Sequence, residues 1–280
     1  MRRMSFNKKL AARVAQSNSL LCVGLDPDVD KMPGHIAKQR DPLLVFNKSI
    51  ISALADLVCA FKLNSAMYEA EGSSGIDQLQ KSCIYLQEHY PDIPIILDFK
   101  RADIGNTNEY YARFAFDYLG VDAITINPYM GEAANEAFLK YKDKGIIVLC
   151  RTSNLGAGEF QDLEVDGKKL YRIVAEKVMH DWNVNNNCLL VVGSPYPKEL
   201  AEIRQVLGDE VVFLVPGMGT QGGDAERTVK AGINSKKEGI IINSSREVIY
   251  ASDKADFAEA ARARALFLRD AINKYRYEEE

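Results

Sequence analysis

What this 280-residue chain lacks narrows its class first. No run of ~18 apolar residues occurs, so no membrane-spanning helix is expected, and the charged start Met1-Arg2-Arg3-Met4 leads into no apolar segment of the kind an export signal carries. No basic field exists either. Thirty-five lysines and arginines against 39 acidic residues leave a formal net charge of −4, so nucleic acid is not an expected partner and any anionic ligand must be held by a local site. Histidine is scarce: His35, His89 and His180 lie apart and form no metal-ligand cluster. The five cysteines, Cys22, Cys59, Cys83, Cys150 and Cys188, are an odd number, and four sit in or beside apolar runs. They read as reduced, packed thiols, and a cytoplasmic location is the expectation. Nothing Gly/Ser/Pro-rich interrupts the chain and no short-period repeat appears, so residues 1–280 read as one domain.

Present instead are eight short apolar runs, each of strand length, alternating with longer segments of helical spacing. They are Leu20–Asp26, Leu57–Asn64, Ile93–Lys100, Val121–Asn127, Gly145–Ser153, Cys188–Gly193, Val211–Gly217 and Gly239–Ser245. Helices are expected at Pro42–Ala55, Gly75–His89, Thr107–Leu119, Gly131–Tyr141, Lys168–Trp182 and Asp256–Tyr275, with a further one at residues 5–18 capping the bottom and a flexible tail at 276–280. This alternation is the signature of a parallel sheet, and eight units suggest an α/β fold closed as a (β/α)8 TIM barrel. The competing open sheet would carry a Gly-x-Gly-x-x-Gly turn after its first strand, where Asp26-Pro27-Asp28 stands instead.

In such a barrel the chemistry gathers where the strands end. Those ends are polar here: Asp26, Lys62 with Asn64, Asp98 with Lys100, Asn127, Arg151 with Ser153, Ser194, Gly217, and Ser245 with Arg246. Strand caps would explain any one of them but not several ionisable groups at a single mouth. Alternation along the third strand points Asp98 and Lys100 the same way, and Asp103 follows in the loop. With Lys62 these would form an array of two cations and two anions if all four meet. A lysine between carboxylates stays protonated, which suits it to donating a proton rather than to Schiff-base attack, although a structural ion-pair network would look alike. A second constellation, Val215-Pro216-Gly217-Met218-Gly219-Thr220-Gln221-Gly222-Gly223-Asp224 together with Ser244-Ser245-Arg246, occupies the two loops at which barrels frequently bind phosphate. Arg151-Thr152-Ser153-Asn154-Leu155-Gly156-Ala157-Gly158, after the fifth run, could read a heterocycle's edge or be a plain loop.

Taken together, the Asp-x-Lys-x-x-Asp segment at Asp98, Lys100 and Asp103, the Pro-Gly-x-Gly-x-Gln-Gly-Gly-Asp loop, and Val-Gly-Leu-Asp-Pro-Asp at the first strand resemble the orotidine 5′-monophosphate decarboxylase family, in family order from Leu21 to Arg246. The resemblance implies a cofactor-free carboxy-lyase of pyrimidine biosynthesis. Lys100 would protonate C6 of the base, Asp98 would face the substrate carboxylate, and Lys62 would link Asp98 to the ribose, whose hydroxyls Asp26 and Asn64 bind. It also implies a homodimer in which Asp103 and Thr107 reach the partner's site. Ser153 would read the pyrimidine, Gln221 would bridge base and phosphate, and Pro216, Ser245 and Arg246 would line the phosphate site. Two alternatives stay open. One is a metal-dependent sugar-phosphate decarboxylase or aldolase-like barrel, which Lys62 disfavours because an ammonium repels a metal; the other is a non-catalytic barrel that only binds a nucleotide.

Overall fold

The computed structural model describes residues 4–217 and 222–278. All eight apolar runs become strands, with ends within three residues of those expected: β1 Leu21–Leu25, β2 Ala60–Asn64, β3 Ile95–Arg101, β4 Ala123–Ile126, β5 Gly145–Arg151, β6 Cys188–Val192, β7 Phe213–Pro216 and β8 Ile240–Ser244. Consecutive strands pair in parallel, and β8 returns to β1 with Leu21 beside Ile242, which closes the barrel. Leu, Ile and Val dominate these runs because a strand in a barrel is covered on both faces, by side chains inside and helices outside. Leu21, Val23, Leu63, Leu97, Ile146 and Val148 are accordingly all buried.

The leading helix, Phe6–Ser17, closes the bottom as expected. Its Arg13 donates from Nε to the Val58 carbonyl at 2.9 Å and pairs through Nη1 with Asp92 at 2.7 Å, while Lys9 pairs with Asp122 at 2.7 Å. Those partners precede β2, β3 and β4, so the helix spans the strands' N-terminal ends and leaves the other end open.

Three elements depart from expectation. The last helix runs Phe257–Tyr277 rather than stopping at Tyr275, which corrects the tail expected from residue 276. Arg276 is buried with its Nε donating to the Lys237 carbonyl at 2.6 Å, and Tyr277 donates to Asn18 at 2.8 Å; a buried guanidinium that has found an acceptor opposes fraying. The helix expected at Lys168–Trp182 begins at Leu170, because Glu164–Val165 and Lys168–Lys169 form a small antiparallel hairpin. Its turn, Asp166-Gly167, has both residues at positive φ, 51° and 74°, the Asp-Gly geometry favoured in two-residue hairpins. Finally, the helices at Gly105–Arg113 and Leu170–Lys177 each continue as a π-helical turn, Phe114–Tyr118 and Val178–Trp182. All five cysteines are free and buried, and no helix among the described residues is long and apolar enough to cross a membrane.

Candidate active site

Register decides what meets at the open end. Gly24, Lys62 and Ile96 lie side by side across β1, β2 and β3, and one step later Asn64 stands beside Asp98. Lys62 Nζ donates to Asp98 Oδ2 at 3.0 Å and stands 3.8 Å from Asp26 Oδ1; Lys100 Nζ donates to Asp98 Oδ1 at 2.7 Å. Asp26, Lys62, Asp98 and Lys100 thus form one alternating line of charge. Asp103 is not part of it within the chain. Its half-buried carboxylate accepts from the amide of Ile104 at 2.7 Å, and no described lysine or arginine pairs with it.

The two lysines differ in setting. Lys62 is buried, with 4% of its side chain exposed, whereas Lys100 keeps 48% exposed at the rim. Burial works against the Lys62 charge, but the carboxylates of Asp26 and Asp98 outweigh it and hold the ammonium well above the ordinary lysine range. Burial likewise pushes Asp98 upward, and is overcome by Lys62, Lys100 and a hydroxyl on β4, so its carboxyl lies well below the usual carboxylate range. Asp98 is therefore a fixed anion and Lys62 a fixed cation.

Lys100 does not sit in regular strand geometry. Between Leu97 and Arg101 β3 advances four residues while β4 advances two, from Ile124 to Ile126, and Lys100 takes φ 47°. A left-handed lysine costs ~1–3 kcal/mol and persists only where its surroundings hold it, so the contact with Asp98 depends on a bulge as well as on alternation.

Around this line the remaining residues fall into two groups. The side-chain oxygen of Asn64 caps the short helix Ser65–Glu69 by accepting from Ala66 at 3.2 Å, which leaves its amide nitrogen for a ligand; Asn127 caps the turn Pro128–Met130 in the same way. Thr107 is half-buried in the first turn of its helix. Arg151, grouped with the mouth from its position in the sequence, is buried and already engaged, paired with Asp162 at 3.0 Å and stacked on Tyr196 at 3.6 Å. Ser153 is exposed at the rim beside Gly217, at whose α-carbon a methyl would meet the hydroxyls of Ser194 at 3.5 Å and Ser153 at 3.7 Å. Pro216 ends β7, Ser245 follows β8, and Arg246 is exposed at the start of the next helix with no ion-pair partner among the described residues. Gln221 lies outside the described residues.

Sequence reasoning passed over several supporting groups. Tyr68 donates to the Leu25 carbonyl at 3.0 Å, and Tyr250 donates to the Asp26 carbonyl at 3.1 Å while accepting from the Asp28 amide at 2.6 Å, so two tyrosines hold the backbone that carries Asp26. Gly24 is required by Ser245: a Cβ there would sit 1.8 Å from the serine Oγ. Thr125, on β4, supplies the hydroxyl at Asp98. Among the described residues no three His, Cys, Asp or Glu stand close enough to hold a metal ion.

Fold and mouth define a class, a (β/α)8-barrel enzyme whose ionised side chains converge at the strands' C-terminal ends. Comparison with known proteins narrows it. A model described as "Orotidine 5'-phosphate decarboxylase / HUMPS family" matches residues 19–261, and the chain belongs to that family. It is 50% identical to a protein named orotidine 5′-phosphate decarboxylase from Janthinobacterium sp. (strain Marseille), over 97% of this chain and 99% of the relative. It is also 50% identical to one from Azoarcus sp. (strain BH72), over 98% and 100%. Among solved structures the OMP decarboxylase of Leishmania donovani superposes with a TM-score of 0.86 at 36% identity, covering 99% of this chain and all of that one.

Proposed function

We propose that this chain decarboxylates orotidine 5′-monophosphate to uridine 5′-monophosphate in pyrimidine biosynthesis, without a cofactor, and that the line Asp26–Lys62–Asp98–Lys100 carries the reaction. The observation behind this reading is the division of labour between the lysines. Lys62, buried between two carboxylates, holds its proton; Lys100, exposed at the rim and paired with one carboxylate, has one to give. The bond from C6 to the carboxylate breaks, its electron pair stays on C6, and carbon dioxide leaves. Lys100 delivers the proton to C6 and regains it from solvent. Orotidylate offers no electron sink, so stabilisation comes from fixed charges already in place before the reaction.

Asp98 faces the substrate carboxylate, Lys62 links it to the ribose, and Asp26 with the Asn64 amide takes ribose hydroxyls. Ser153 reads the pyrimidine edge and Gln221 bridges base and phosphate. Pro216, the Ser245 backbone and the unpaired Arg246 surround the phosphate, whose binding energy orients the base. The acting unit is a homodimer in which Asp103 and Thr107 enter the partner's site, and the place of work is the cytoplasm. Supporting the dimer is the surface around Asp103: Ile104, Tyr110, Tyr129 and Met130 are all exposed, Tyr129 at 87%, and a second copy would cover them. Residues 1–280 act as one domain.

The test is loss of orotidylate absorbance on adding metal-free protein in chelator, beside Lys100→Ala. Conversion by the wild type with the variant inert is expected; no conversion by the wild type overturns the reading.

A further inference from the structure

We propose that Thr125 is a positioning residue for Lys100, its one hydroxyl fixing both the Asp98 carboxylate and the bulged backbone that carries the lysine. The inference rests on the decarboxylase reading. A hydroxyl has one hydrogen to give and lone pairs to receive. Thr125 Oγ1 gives its hydrogen to Asp98 Oδ1 at 2.8 Å and receives the backbone N–H of Lys100 at 3.0 Å. The Lys100 Nζ reaches the same Oδ1 at 2.7 Å. A closed ring results, running from the Lys100 amide through Thr125 and Asp98 to the Lys100 ammonium.

The ring answers a specific need. The bulge in β3 takes the Lys100 amide out of the ladder between β3 and β4, and φ 47° is unfavourable for a lysine. Thr125 supplies the acceptor the amide would otherwise lack. Packing does not call for a hydroxyl there. Thr125 is buried in the run Ala123-Ile124-Thr125-Ile126, where valine has nearly the same shape, and its hydroxyl is used within this ring. Without it the backbone of Lys100 is released toward ordinary strand geometry and the ammonium moves relative to C6. A displacement of ~1 Å at a reacting group costs on the order of 100-fold in rate.

The experiment compares wild type, Thr125→Val and Thr125→Ser for kcat and KM with orotidylate, affinity for uridine 5′-monophosphate, and hydrogen exchange at the Lys100 amide without ligand. Thr125→Val should lower kcat about 10- to 100-fold while KM and product affinity stay within about 3-fold, since loss of a hydrogen bond to a charged group is the perturbation. Thr125→Ser should recover most of the rate, and the Lys100 amide should exchange faster in the valine variant only. A valine variant with wild-type kcat, equal losses in valine and serine variants, or a loss confined to KM would overturn the proposal. Thr125→Ala repeats the test if the valine protein does not fold. A wild type that leaves orotidylate unchanged overturns the decarboxylase reading instead, and the exchange measurement judges the Thr125 contact independently.

Discussion

Replacing Lys62 by methionine would leave the apolar stem in place and remove one buried positive charge from between two carboxylates. At 3.0 Å and an effective dielectric near 20, the attraction to Asp98 alone amounts to ~5 kcal/mol, but Lys100 and Thr125 still hold Asp98 and the wild-type ammonium has already given up its hydration. The net loss of stability should therefore be about 2–4 kcal/mol, at or below the range for breaking a buried ion pair. Its pH dependence is the sharper part. Asp98 in the folded wild type lies below its unfolded value of ~3.9, so its contribution is present above that value and lost as the pH falls through it toward the folded one. Lys62 lies above its unfolded value of ~10.4, so its contribution is complete below that value and lost as the pH rises toward the folded one. The deficit of Lys62→Met against wild type should thus be greatest near neutrality and shrink below about pH 4 and above about pH 10. Urea unfolding across this range measures it, and adding Asp98→Asn should cost less than the sum of the single changes by about 1–3 kcal/mol. A neutral-pH deficit under about 1 kcal/mol, or one that grows on acidification, would refute this account of the cluster.

Mixing inactive Asp103→Ala subunits with inactive Lys100→Ala subunits should restore activity, because a hybrid dimer rebuilds one site with both wild-type residues; a mixture as inert as its components would show that Asp103 does not act across an interface. Gly24→Ala drives a methyl to 1.8 Å from Ser245 Oγ and 2.8 Å from its Cβ, so the loop after β8 must move; affinity for uridine 5′-monophosphate, followed by calorimetric titration, should fall at least about 10-fold with a stability loss of about 1–3 kcal/mol. Tyr250→Phe leaves the Asp28 amide without its acceptor and the Asp26 carbonyl without a donor, and should raise KM more than it lowers kcat, with about 1–2 kcal/mol lost in denaturant unfolding.

How much of this was legible in the sequence depended on whether a feature is set by neighbours along the chain or by neighbours in space. The eight strands were readable because each is a run of Leu, Ile and Val that must be covered on both faces, and the mouth was readable because polar residues interrupt those runs at their ends. The hairpin at 164–169 had its Asp-Gly signal in plain view, just ahead of a segment read as helix from Lys168; the end of the last helix was misplaced because Arg276 finds its acceptor on Lys237, far away in sequence. Arg151 had the same credentials as Lys62, a charge ending an apolar run, yet its guanidinium is taken up by Asp162 and Tyr196 rather than by the Asp98 cluster. Asn64 shows both possibilities in one residue, its oxygen spent on a helix cap and its nitrogen left over.

The contact between Asp98 and Lys100 is the hardest case, because the alternation argument places both on one face and the barrel then departs from regular alternation just there. In an unbroken strand Lys100 would keep its amide in the ladder and its conformation would cost nothing. Instead β3 gives up ladder pairing and tolerates a left-handed lysine, and β4 contributes a threonine whose hydroxyl takes up the slack. Local preference and global structure agree almost everywhere else in this barrel. Where they conflict, the strained residue is the one with a proton at the rim, as expected when stability is given up to place a reacting group.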